Sequence, residues 1–158
     1  MHRPNRRAHY GSARVTGLEI MRAIASGALP APPVAVLLGM DCTEVDDGHV
    51  RFTAGAAMKL TNPQGTIHGG IIATLLDTAM TCAIFTKLPD GKSCTTTDMS
   101  VQFVRPLAPD DGVMMADGYV LNVGKTRATA RAELKNADGK LCAYATSGAA
   151  IFEMQLGP

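Results

Sequence analysis

One segment constrains this chain more than any other: Ile67 to Phe85, IHGGIIATLLDTAMTCAIF, repeats its apolar residues with helical period and is oily nearly all round. A helix of that kind cannot lie on a surface and must be covered on most sides. Its one carboxylate, Asp77, sits among Ala73, Leu75, Leu76, Ala79 and Met80. On a helical wheel Gly70, Thr74, Asp77 and Thr81 share a stripe, so the cylinder carries a narrow seam of small and polar residues. Burying a carboxylate costs several kcal/mol unless it is paired or hydrogen-bonded. The plainer reading is that Thr74, Thr81 or neighbouring amides satisfy Asp77, at a subunit contact or within the chain.

The rest of the chain supplies the cover. At 158 residues it is long enough for one core and short for two, and 46% apolar residues is ordinary for a globular domain. Val15 to Ala28 reads as an amphipathic helix with Leu18, Met21, Ile24 and Ala25 on one side, and the PAPP stretch stops it. Val34 to Leu38 could form a short helix. Met40–Val45 and His49–Ala54 flank an Asp47-Gly48 turn and read as a hairpin. Beyond the long helix, TTTDMSVQFVRPL alternates, with Met99, Val101 and Phe103 on one face and Thr96, Asp98, Ser100 and Gln102 on the other. Val113–Leu121, Thr126–Leu134 and Leu141–Phe152 complete the strands, joined by turns at NVGK and Asn136–Gly139. The order is two strands, one buried helix, four strands. That predicts an α+β domain over 33–158, one long helix wrapped by an antiparallel sheet, preceded by a tail and short helix over 1–32. One sheet cannot cover so oily a helix on every side, so a partner subunit is expected to cover the rest.

Several functions are disfavoured. Fifteen Lys and Arg against fourteen Asp and Glu offer no electrostatic capture of nucleic acid or anionic membrane. Arg3, Arg6, Arg7 and Arg14 make a basic tail with no apolar stretch after it, unlike a secretory signal. Cys42, Cys82, Cys94 and Cys142 are far apart with no C-x-x-C pair, which fits reduced thiols in a cytoplasmic protein. Neither they nor the four histidines show metal-ligand spacing. Ile71 to Phe85 is shorter than a membrane span and carries Asp77. GYVLNVGKT has five residues between its glycines where a P-loop needs four, and it joins two strands. GTIHGG lacks the G-x-G-x-x-G spacing of a dinucleotide fold.

The helix start points to chemistry. Gly69 and Gly70 stand where unpaired backbone N–H groups and the positive end of the dipole face outward. Glycine there lets a ligand approach the backbone, and such an amide can stabilise negative charge on a carbonyl oxygen under attack. Asp77 lies eight residues on, about 12 Å along the axis, too far for one helix to bring both groups to one atom. A facing, antiparallel helix from a second copy removes the difficulty.

N-P-x-G-x-x-H-G-G followed by TLLDTAM resembles the hotdog-fold acyl-CoA thioesterases of the phenylacetic-acid-degradation type, with DMSVQFVRPL and GKT at matching places; the similarity runs from about Pro33 to Phe152. The resemblance implies a hotdog dimer with a continuous sheet, which can pair again into a tetramer. It implies that Gly69 polarises the thioester carbonyl with Asn62 nearby, and that Asp77 of the other subunit acts as general base or nucleophile. Thr96, in a run where Thr95 and Thr97 compete for the register, would orient the water. His68 would hold the carbonyl or order the loop. Arg105, Lys125, Thr126 and Arg127 would meet the phosphates of coenzyme A, though solvated turn residues are the plainer reading of each. Apolar residues including Met80 and Phe85 would line the acyl pocket. Coenzyme A enters as part of the substrate, with no separate cofactor and no metal. Two other readings compete: a hydratase or dehydratase on the same fold, which would pair a His with an acid, and a non-catalytic acyl-CoA-binding module.

Overall fold

The computed structural model describes residues 15–154 of the chain, so the basic tail lies outside them. Three α-helices and six strands follow in the order α1 (Gly17–Ala25), α2 (Pro33–Leu38), β1 (Met40–Asp46), β2 (His49–Gly55), α3 (Gly69–Thr86), β3 (Lys92–Phe103), β4 (Val113–Val123), β5 (Arg127–Lys135) and β6 (Leu141–Glu153). A single turn of 3-10 helix, Met58–Leu60, precedes the loop into α3. The strands form one antiparallel sheet in the order β1-β2-β4-β5-β6-β3. This is the α+β architecture expected from the order of elements, and the hotdog fold that the resemblance implied. Helix α1 starts with a capping box, in which Thr16 and Glu19 satisfy each other's backbone N–H. It is shorter than the apolar pattern implied and buries Gly17, Ile20 and Met21 rather than Ala25.

The core lies between α3 and one face of the sheet. Val50, Phe52, Ala54, Met114, Ala116, Ala130, Ala132 and Leu134 point inward from β2, β4 and β5, and meet Leu75, Leu76, Ala79, Met80, Ala83 and Ile84 of the helix. Small residues dominate the sheet side because the helix comes very close. A Cβ built on Gly118 would stand 2.2 Å from the carbonyl oxygen of Ala79 and 2.8 Å from the amide nitrogen of Met80. Only a residue without a side chain permits that approach. By length and composition α3 is apolar enough to cross a membrane, contrary to the expectation from its apolar run; the six side chains it buries without any exposure place it in a core here.

The sheet leaves one side of α3 uncovered. Gly70 is exposed, and Thr74, Asp77, Thr78 and Thr81 are only half-buried. Among the described residues the neighbouring strand β3 pairs on one side only, with β6, so a twelve-residue edge stays open, with Phe103 55% exposed on it. A free edge of that length is ordinarily covered in a native protein.

Replacing Gly118 with Ala places a methyl group on the α3 backbone, which cannot yield as a flexible side chain does. The variant is expected to lose about 3 kcal/mol of stability, read as a lower midpoint in urea unfolding. An unchanged midpoint would show that the helix can move off the sheet without penalty.

Candidate functional site

Asp77 is held by the strand beside it. Thr96 Oγ1 donates to Asp77 Oδ1 at 2.6 Å, and Thr81 Oγ1 lies 2.9 Å from Thr96 Oγ1. A threonine hydroxyl has one proton, and Thr96 gives it to the carboxylate, so the proton between the two threonines comes from Thr81. The result is a directed chain from Thr81 to Thr96 to Asp77, ending in a short bond of the charge-assisted kind. Thr74 takes no part, because its hydroxyl donates back to the Gly70 carbonyl at 2.8 Å. Asp77 Oδ2 accepts no hydrogen bond among the described residues. One oxygen is fixed and the other is left open to a further hydrogen bond.

The face assigned to Thr96 from simple alternation needs correction. Alternation sets Thr96 opposite Met99, Val101 and Phe103, yet Thr96 faces the helix with them. The register against β6 shifts between Thr96 and Asp98, so Thr96 pairs with Ala149 and Met99 with Ser147. One extra residue at the bulge, Thr97, reverses the parity of everything before it. Gly148 makes the room: a Cβ there would meet Asp98 Oδ2 at 2.5 Å. Of the three adjacent threonines, Thr96 is the one that bonds Asp77.

At the other end of the seam, His68 caps α3, with Nδ1 accepting from the Gly70 N–H at 2.9 Å. That bond puts the proton of a neutral ring on Nε2. It also occupies the Gly70 amide, leaving the Gly69 N–H without an acceptor among the described residues. Asn62 is bound into its own loop: Nδ2 donates to Thr66 Oγ1 at 2.9 Å, while Oδ1 accepts from the amides of Gln64 and Thr66. Its side chain shapes the turn leading to the helix. Gly69 lies under the ring of Phe103 at the far end of β3, where a Cβ would be 3.2 Å from Phe103 Cζ. Helix and strand therefore run side by side in opposite directions, with Asp77 at Thr96 and Gly69 at Phe103.

Within the chain, the residues expected to act together are not brought together. Gly69 and Asp77 are separated by eight residues of helix, about 12 Å. The residues expected to bind coenzyme A divide the same way. Arg105 follows β3 and bonds to Cys142 at the start of β6, while Arg127 pairs with Ala150 near its end. Eight residues of strand separate those positions, about 27 Å. Lys125, Thr126 and Arg127 are exposed at the β4–β5 turn. Met80, expected beside the acyl group, is fully buried in the core, and Phe85 packs on Gly17.

Two other clusters lie near this region or behind it. Burial pushes the thiols of Cys42 and Cys94 up to about 11 and that of Cys82 to about 12, so all three are protonated at neutral pH and poor nucleophiles. Glu44, His49 and Asp117 offer ligand atoms within 4.8 Å of one another on the outer face of the sheet. The Arg51 guanidinium binds both carboxylates, however, and His49 Nε2 sits 3.0 Å from Asp117 Oδ1. A fixed cation already fills the place a metal ion would take, and the cluster is an ion-pair network.

Comparison with known proteins bears on what this seam is for. Residues 64–143 match the family model described as the thioesterase superfamily. Human acyl-coenzyme A thioesterase 13 is 36% identical over 84 residues, covering 52% of this chain and 59% of that protein. The chain thus spans about 60% of the length of the curated relatives it matches. A phenylacetic acid degradation-related protein from Ralstonia eutropha superposes with a TM-score of 0.75 at 29% identity, over 82% of this chain and 98% of that one. The PaaI protein of the E. coli phenylacetic acid degradation operon shares the fold, with a TM-score of 0.76 at 22% identity over 87% and 96%. The family match covers half of the sequence and contains the helix start, Asp77 and Thr96 alike: the chain belongs to the thioesterase superfamily.

Proposed function

We propose that the protein hydrolyses an acyl-CoA thioester to the free acid and CoA, in a site assembled from two copies of the chain. The observation that carries this reading is the pair of complementary half-sites on one helix: among the described residues, a Gly69 N–H with no acceptor and an Asp77 carboxylate with one free oxygen, both on the side the sheet leaves open. Antiparallel pairing of two β3 edges would set the start of one strand beside the end of the other. Because Asp77 sits at the start of β3 and Gly69 at its end, that pairing sets the amide of one copy near the carboxylate of its mate. It also sets Arg105 of one copy toward Lys125, Thr126 and Arg127 of the other, gathering the cations where the phosphates of coenzyme A would lie. One symmetric contact accounts for both separations.

In this reading the Gly69 N–H binds the thioester oxygen. Asp77 Oδ2 takes a proton from water as its oxygen attacks the carbonyl carbon. Negative charge gathers on the oxygen held by the amide, where a fixed donor stabilises it most. Collapse breaks the carbon–sulfur bond, and the departing thiolate takes the proton from Asp77. Thr96 fixes Oδ1 so that Oδ2 faces the water; with its own proton spent, it can only accept from that water. Direct attack by Asp77, forming an anhydride that water then cleaves, uses the same groups. His68, the proton carrier a hydratase would need, holds its Nδ1 against the Gly70 amide, which weighs against that alternative.

Asp77→Asn removes the base and keeps the shape. Thiol release from a panel of short, long and aromatic acyl-CoAs should fall about 1,000-fold with the far-UV spectrum and oligomeric state unchanged. Hydrolysis at the wild-type rate would remove Asp77 from the chemistry, and tight binding by the wild type without thiol release over hours would make the protein a binding module.

Thr96→Val replaces the hydroxyl with a methyl of similar size and is expected to cost about 10- to 100-fold in kcat, with Thr96→Ser recovering most of it. Equal rates in the Val and Ser variants would show that the bond to Oδ1 is incidental.

A further inference from the structure

Resting on the thioesterase reading above, we propose that Phe103 is a specificity-determining residue: its ring walls the carbonyl site at Gly69 and admits acyl groups with an unbranched carbon next to the carbonyl. The ring tip lies over the first residue of α3, where a Cβ on Gly69 would meet Cζ at 3.2 Å, Cε1 at 3.4 Å and Cε2 at 3.7 Å. The space directly above the Gly69 backbone is thus already taken by an aromatic edge. A thioester oxygen bonded to that N–H stands about 2.9 Å from the nitrogen, and the carbonyl carbon only about 1.2 Å beyond it. In the proposed site the atoms attached to that carbon pass beside the Phe103 ring.

The strand decides which substituent passes there. Met99, Val101 and Phe103 share the inner face of β3, since they pair with Ser147, Ala145 and Ala143, all buried on the inner face of β6. Yet Met99 remains 36% exposed, Phe103 55% exposed and Val101 half-buried, because α3 covers them only in part. They form an apolar stripe alongside the polar seam of Thr74, Asp77 and Thr81. The pantetheine arm of coenzyme A carries two amides and a hydroxyl, which gain nothing from a hydrocarbon surface and lose water. A hydrocarbon acyl chain gains from every contact with it. The acyl group therefore follows the β3 stripe, and its first carbon lies against Phe103. A methylene passes a flat ring at van der Waals distance, whereas a methyl branch on that carbon adds an atom on the side the ring occupies. The ring also keeps water off the amide, which strengthens the hydrogen bond to the developing oxyanion.

The test compares straight-chain acyl-CoAs with isomers that carry a methyl branch on the carbon next to the carbonyl, at short, medium and long chain lengths. It uses the wild type, Phe103→Ala and Phe103→Leu, with folding checked by circular dichroism. The wild type is expected to favour the straight isomers, and the branched-to-straight ratio of kcat/KM is expected to rise about 10-fold or more in the Ala variant, with Leu in between. Phe103 is more than half exposed, so its truncation opens no core cavity, and the Leu variant retains most of its volume. A wild type that treats the isomers alike, or a ratio unmoved in both variants, overturns the inference while leaving the thioesterase reading intact. Absence of thiol release from every substrate by the wild type overturns that reading, and this inference with it.

Discussion

The close seating of α3 on the sheet governs everything else in the molecule. At Gly118 the helix backbone touches the strand backbone, and the alanines of β5 and β6 allow the same closeness along the helix. This contact fixes the rotation of the helix about its axis. Leu75, Leu76, Ala79, Met80, Ala83 and Ile84 are locked inward, and the residues between them are left pointing away. Gly70, Thr74, Asp77 and Thr81 therefore face outward through packing forces that have nothing to do with chemistry. An unsupported carboxylate on that side would be a burden. The bulge in β3 turns Thr96 toward it and converts it into an anchored group with one oxygen free.

A rigid helix has the further consequence that its two proposed reactive features stand at a fixed separation. Eight residues of helix cannot shorten, so the Gly69 amide and the Asp77 carboxylate of one copy cannot meet on one carbonyl carbon. The open β3 edge and the open seam lie side by side, and a second copy placed there in antiparallel fashion would relieve both exposures. In this account dimerisation is part of catalysis: the contact that covers the edge also completes two equivalent sites. The same geometry relates Arg105 to the β4–β5 turn, which otherwise lie at opposite ends of the sheet.

How much of this could be read from the sequence depended on whether the signal was local. The oily period of Ile67–Phe85 identified the central helix, because burial on most sides leaves its mark on every turn. The alternation and turn residues of the other segments gave all six strands to within a few residues. The Gly69-Gly70 start and the Asp77 seam were visible because helical geometry follows from spacing alone. What escaped were features set by partners distant in sequence. Thr96 was assigned to the wrong face, since a bulge opposite Gly148 leaves no trace in an alternating run. The sequence left His68 between holding the carbonyl and ordering the loop, and only the fold shows its bond to the Gly70 amide and that of Asn62 to Thr66. Met80 looked available to a substrate because apolar residues on a helix do not announce which of them the sheet will cover. Phe103 drew attention only as part of an alternating face; its position over Gly69 is a contact across 34 positions of chain.

Whether one site draws its amide from one chain and its base from another is answered by subunit complementation. Gly69→Pro removes the amide hydrogen at the first position of the helix, where the backbone suits proline; its Cβ would stand 3.2 Å from Phe103 Cζ, and that half-exposed ring has to turn aside. His68 already has the extended backbone that a following proline demands, with φ −62° and ψ 132°. Each of Gly69→Pro and Asp77→Asn should be inactive alone. Co-expressed, they form mixed dimers in which one site pairs an intact amide with an intact carboxylate, and about a quarter of wild-type activity should return. Mixed dimers as inactive as their parents, or a Gly69→Pro protein that still turns over, would contradict the account.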